Sequence, residues 1–177
     1  MRFTETPLRG AFVVDLEPHK DDRGFFARTF CVNEFAAHGL ATRFVQMNDS
    51  FSDHAGTLRG MHFQRAPHGE VKVVRVVRGA IFDVILDLRA DSPTFGRWHG
   101  VDLTANNRRS FYIPAGFAHG FLTSEPGTEV LYMHSEFYNP ASERTIRWND
   151  PAFSICWPTE PRVMSRKDPD QPDFSAA

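Results

Sequence analysis

The chain has 177 residues, with 20 basic and 22 acidic side chains, a net charge of −2, and 41% hydrophobic and 13% aromatic residues. That balance predicts one domain over residues 1–177 with a substantial core, and it excludes disorder. Interspersed charge of both signs offers no basic stripe for nucleic acid, and no apolar run approaches membrane-spanning length.

The N-terminus carries Arg2 and Glu5 and no signal-like apolar segment, so a soluble, cytoplasmic protein is expected. Cys31 and Cys156 lack CxxC spacing, which predicts two free thiols and no zinc site. Residues 1–15 read as an extended arm ending in a strand over 11–15. Asp21-Asp22-Arg23-Gly24 signals a turn before a second strand over 25–30. Asn33 is placed to cap a short helix over 34–38 that Gly39 stops. Strands are then predicted over 44–52, 57–64, 71–78, 81–88, 98–103, 110–113, 120–123 and 128–135, with turn residues between most of them. So many short strands at this spacing indicate an all-β antiparallel sandwich or barrel. The proline-bearing tail after Asp150, with Pro158, Pro161, Pro169 and Pro172, is expected to drape over it.

Gly56 to Gln64, Gly-Thr-Leu-Arg-Gly-Met-His-Phe-Gln, holds the most informative pattern. Strict alternation puts Leu58, Gly60, His62 and Gln64 on one face and Arg59 on the other. A bulge at Gly60 would turn both Arg59 and His62 toward one cavity. From this run alone, a histidine hydrogen-bonded to backbone serves as well as a functional one. On 71–78, parity groups Lys72 with Val74, Val76 and Arg78, and Lys72 reads by itself as a surface lysine. Asp83 and Asp87 alternate with apolar residues on 81–88.

The run Thr57 to Gln64 resembles the signature strand of the dTDP-4-dehydrorhamnose 3,5-epimerases, a metal-free branch of the cupin jelly rolls. Matching segments follow in family order at 21–30, 44–50, 67–89, 112–121, 131–151 and 164–174, which covers nearly the whole chain. The resemblance implies a cupin-type jelly roll with short peripheral helices. It also implies a homodimer whose N-terminal strands pair across the interface, and a nucleotide-sugar substrate with no cofactor.

Cupins often hold a metal on a His-x-His pair followed by a carboxylate. Here Gly60 and Gln64 stand two residues either side of His62, and no nearby Glu completes a set. His62 and His119 alone do not make a three-ligand site. His119, in Pro-Ala-Gly-Phe-Ala-His-Gly, also reads as a turn histidine held by backbone.

The resemblance implies acid–base chemistry instead. By position, His62 is the base, Asp168 its orienting carboxylate, Tyr132 the residue on the opposite face, and Lys72 the cation near the sugar ketone. Taken alone, Tyr132 reads as a core tyrosine with a satisfied hydroxyl. A 4-keto sugar has acidified protons on the carbons flanking its carbonyl. Epimerisation needs a base, an opposing acid and a cation for the enolate oxygen. Arg23, Arg59 and Lys167 match family positions that line the substrate site. Gln46, Asn48, His119 and Glu143 match its polar contacts, and Phe26 and Tyr138 could stack on the base. Arg28 stands where the family usually has a glutamate, which opens nucleotide selectivity to change, or leaves Arg28 turned outward on an acidic neighbour. The same residues would serve a mono-epimerase at carbon 3 or carbon 5 on another sugar nucleotide, or a non-catalytic cupin that binds one.

Overall fold

The computed structural model describes residues 1–165, 167–168 and 171–174. In chain order the strands are β1 (Arg2–Glu5), β2 (Phe12–Asp15), β3 (His19–Asp21) and β4 (Gly24–Phe26), followed by the helix α1 (Val32–Ala37). Next come β5 (Gln46–Ser52), β6 (Leu58–Gln64), β7 (Lys72–Arg78), β8 (Ala80–Asp87) and β9 (Trp98–Thr104). The series closes with β10 (Ser110–Ile113), β11 (Phe117–Thr123), β12 (Thr128–His134) and β13 (Glu143–Thr145).

Two antiparallel sheets face each other as a jelly roll. One has the order β1-β2-β10-β7-β12-β5 and the other β13-β6-β11-β8-β9. Period-2 alternation sends Val74, Val76, Phe111, Ile113 and Val130 from the first sheet against Ile81, Ile85, Leu103, Phe117 and Phe121 from the second. The outer face of each sheet is covered as well. Phe35 of α1 packs with Phe12, Val14, Val73 and Tyr112 on the six-stranded sheet. The C-terminal segment lays Phe153, Ile155, Trp157 and Phe174 over Met61, Val84 and Leu86 on the five-stranded one. Covering both faces is why β8 is buried along almost its whole length. Each fully buried phenylalanine, such as Phe35, Phe111 or Phe121, contributes about 1.5–3 kcal/mol of transfer free energy.

Several boundaries differ from expectation. The helix starts two residues earlier, at Val32, with Cys31 as an N-cap that makes no side-chain bond, so Asn33 lies inside the first turn and caps nothing. Gly39 does end it, at φ +68° with its N–H donated to the Ala36 carbonyl. The predicted strand over 25–30 stops at Phe26, because Phe30 leaves strand geometry to pack on Phe35 and Phe44, with ring centroids at 4.8 and 5.4 Å. β1, β3 and β13 are short and polar and carry no alternating pattern. Cys31 and Cys156 are free thiols. No helix among the described residues is long and apolar enough to cross a membrane. The tail does drape: Leu58 N–H donates to Val163 O at 2.8 Å, and Thr57 bridges Val163 in parallel. Pro169 lies outside the described residues.

Candidate active site

A cavity of about 660 Å³ opens at one end of the sandwich, between β5, β7 and β12 of one sheet and β6, β11 and β13 of the other. β6 reaches it through an irregularity. His62 pairs with His119 and Arg59 with Phe121, so β6 spends one residue more than β11 between those pairs. The extra residue at Gly60–Met61 resets the alternation. Met61 goes to the outer core and both Arg59 and His62 face the cavity, as the glycine suggested.

His62 is bonded through Nε2 to Asp168 Oδ1 at 2.9 Å, and the Asp168 side chain is 3% exposed. A carboxylate accepts, so Nε2 carries the proton and Nδ1 keeps the lone pair in the neutral ring. Burial works to raise the Asp168 pKa. Hydrogen bonds from His62, Ser165 and the Gly60 backbone outweigh it, and the carboxyl is held below its ordinary value. The C-terminal segment delivers this group across 106 residues of sequence.

Tyr132 lines the same cavity from the opposite sheet. Burial raises its pKa, with Ser50 and Arg59 working the other way, so it stays a phenol. Lys72 lies on the core-facing side of β7 with Val74 and Val76, as parity required. It is 8% exposed, which corrects the surface reading, because the interior beyond Val74 opens into the cavity. Its Nζ sits 3.1 Å from Glu70 Oε1 and donates to the His62 carbonyl at 3.3 Å. Arg59 donates from Nε to Ser52 Oγ at 3.2 Å and from Nη2 to the Phe51 carbonyl at 2.9 Å. Gln46, Asn48 and Ser50 alternate along β5 onto the cavity wall. At its mouth, Tyr138 donates its hydroxyl to Glu143 Oε2 at 3.0 Å.

Four candidates are not brought here. Arg23 and Phe26 sit on the β3–β4 hairpin, which is hydrogen-bonded to neither large sheet. Arg23 is paired with Asp21 at 2.6 Å, and Phe26 is 74% exposed. Arg28 lies in a separate small cleft with Phe26, Met1, Glu17, His19 and Glu34, and pairs with Glu34 Oε1 at 2.8 Å, the outward-turned arrangement. Lys167 is exposed, and among the described residues its hydrogen bond is made by its carbonyl, which accepts from Gln171 Nε2 at 2.9 Å.

The cavity also holds groups the sequence reading left out. His134 brings the imidazoles to three, alongside His62 and His119. It bonds Glu70 Oε2 through Nδ1 at 2.9 Å. His119 bonds the wholly buried Asp83 through Nε2 at 2.7 Å. Burial pushes the Asp83 pKa up despite His119 and Lys72. Parity could have found one of these: His134 shares a face with Tyr132 on β12. Each imidazole is committed to its own carboxylate, and among the described residues no three His, Cys, Asp or Glu side chains converge as a metal set.

The family model described as dTDP-4-dehydrorhamnose 3,5-epimerase matches residues 5–176. A Methanothermobacter thermautotrophicus dTDP-4-dehydrorhamnose 3,5-epimerase is 48% identical over 171 residues, covering 94% of this chain and 91% of its own. The Bacillus anthracis enzyme of that name, solved with TDP and PPi bound, superposes with TM-score 0.93 at 42% identity, covering 98% of this chain and 99% of its own. A 3'-monoepimerase from Streptomyces bikiniensis, solved with dTDP as a double mutant, superposes with TM-score 0.88 at 34% identity, covering 96% and 85%. Its mutated histidine and tyrosine are as far apart in sequence as His62 and Tyr132.

Proposed function

We infer, from the premise that the chain belongs to the dTDP-4-dehydrorhamnose 3,5-epimerase family, how it epimerises a dTDP-linked 4-keto-deoxysugar. His62 Nδ1 takes the proton from the carbon beside the ketone. The C–H electron pair moves into the ring and the carbonyl oxygen becomes an enolate. Lys72 stabilises that oxygen, and Tyr132 returns a proton to the other face of the carbon. Asp168 holds the His62 tautomer and faces the imidazolium as it forms. Gln46, Asn48, Arg59, His119, Tyr138 and Glu143 bind the sugar nucleotide.

The observation that carries this reading is the placement of His62–Asp168 and Tyr132 on opposite sheets of one cavity, with the Lys72 ammonium 3.3 Å from the His62 carbonyl. The family substrate positions Arg23 and Phe26 stand away from that cavity on an exposed hairpin. Their use therefore requires a second copy, and the assembly proposed is a homodimer in which the hairpin of one chain completes the cavity of the other. β1, a sheet edge, remains open for pairing across the interface.

The likeness to the monoepimerase keeps inversion at one carbon as a second reading. NMR of dTDP-4-keto-6-deoxyglucose in deuterated water separates the two by showing which carbons exchange and which products form. His62→Ala should lose exchange at every carbon. Tyr132→Phe should keep some exchange while inversion falls. Wild-type exchange rates in His62→Ala would overturn the assignment.

A further inference from the structure

We propose that Glu70 and His134 are a positioning pair for Lys72, at the inner end of a one-way hydrogen-bond chain that begins at the cavity mouth. This deepens the reading above and rests on the role given there to Lys72.

The direction of the chain is fixed by its outer end. The Tyr138 backbone N–H can only donate, and it points at Gln46 Oε1, 3.3 Å away. That leaves Gln46 Nε2 to donate to Asn48 Oδ1 at 3.1 Å. Asn48 Nδ2 then donates to His134 Nε2 at 3.3 Å. With Nε2 accepting, the proton of a neutral ring sits on Nδ1 and goes to Glu70 Oε2 at 2.9 Å. Gln64 Nε2 approaches the same oxygen at 3.4 Å and is itself tied to the His68 and Phe137 carbonyls. Held on Oε2 by the His134 donor, the carboxylate presents Oε1 to Lys72 Nζ at 3.1 Å. Burial works to raise the Glu70 pKa, but the His134 bond and the Lys72 charge outweigh it, so the group is ionised at neutral pH.

Lysine is a point charge on a flexible stem, with no shape of its own to hold it. Without Glu70, the hydrogen bond left to the ammonium among the described residues is the one to the His62 carbonyl at 3.3 Å. Displacement by about 1 Å from a reacting centre can cost on the order of a hundredfold in rate. Glu70 and His134 act through Lys72 and are positioning residues in this sense.

Two measurements test the pair. Long-range ¹H–¹⁵N NMR of the native enzyme should show His134 protonated on Nδ1 and bare on Nε2, and the opposite tautomer would overturn the chain. In kinetics, Glu70→Gln keeps the shape and removes the charge. It should lower kcat for exchange by about tenfold or more while KM moves less than about threefold. His134→Leu should behave alike, and His134→Asn, which keeps a donor toward Glu70, should recover most of the rate. Glu70→Gln turning over within about threefold of wild type refutes the pair. So does a loss that His134→Asn does not rescue. If the variants do not fold, the tautomer in the native protein decides. Absence of exchange in the wild type, measured in the same series, would count against the proposed function instead.

Discussion

Gly60→Ala tests the link between the β6 irregularity and the site. A β-carbon at Gly60 would lie 2.4 Å from the Gly120 Cα and 2.9 Å from the His119 carbonyl oxygen, backbone atoms that no rotamer change can move. Gly60 also holds φ +135°, a conformation that costs a residue with a side chain about 1–3 kcal/mol. Overpacking against fixed neighbours adds about 1–3 kcal/mol, so the expected loss is about 2–6 kcal/mol. A typical domain has only about 5–15 kcal/mol in all. Relief requires β11 to move off β6 at the point where His119 pairs with His62. Urea unfolding followed by tryptophan fluorescence should show a lower midpoint with an unchanged slope. Deuterium exchange into substrate should fall further than the folded fraction does. Gly39→Ala is the control: it also has positive φ, +68°, but nothing lies within 4 Å of its β-carbon, so only about 1–2 kcal/mol is expected. A Gly60→Ala protein within about 0.5 kcal/mol of wild type would refute the packing argument.

Asp87 gives a pH prediction: burial acts to raise its pKa, but Arg89, Ser92 and Thr94 donate to it and hold it at about 2. A depressed carboxyl stabilises above its unfolded pKa and loses that contribution as pH falls through the folded one. Asp87→Asn should therefore cost about 2 kcal/mol at pH 7, allowing for the partly exposed Arg89. The gap to wild type should narrow measurably by about pH 3, and denaturant melts showing a constant gap would refute this. On the hairpin, Phe26→Ala should weaken dTDP binding, whereas Arg28→Glu should leave the ranking of dTDP, UDP, CDP and GDP unchanged, because Arg28 is held on Glu34. Mixing Phe26→Ala with His62→Ala should restore activity if the hairpin serves a second copy, and no restoration in verified mixed dimers argues against it.

Legibility followed the length scale of the interaction. The face of Lys72 could be read from the period-2 pattern of β7, but its exposure could not, because whether an inner face meets core or cavity depends on the opposite sheet. Arg59 and His62 could be joined from sequence through Gly60, since a bulge is a local event. Asp168 could be attached to His62 only by resemblance, as no periodicity spans the intervening chain. Glu70 escaped because it lies outside any strand, and His134 because a histidine beside a tyrosine on β12 looks like core. The places of Arg23 and Phe26 are set by a hairpin that neither sheet holds, and that of Arg28 by its pairing with Glu34, so matching their positions could not say which cavity they face.

Three carboxylates stand behind the three imidazoles, and burial acts to raise all of them. Compensation separates them. Asp168 and Glu70 gain enough hydrogen bonds and positive charge to end below their ordinary values, and are ionised at neutral pH. Asp83 is wholly buried, has one oxygen without a partner among the described residues, and ends raised. In the proposed reaction charge then stays local. An imidazolium formed on His62 would face a carboxylate already ionised 2.9 Å away. The matching negative charge would fall on the enolate oxygen assigned to Lys72. The step moves one proton inside the cavity, and neither new charge has to wait for solvent to rearrange around it, which is what a preorganised site supplies.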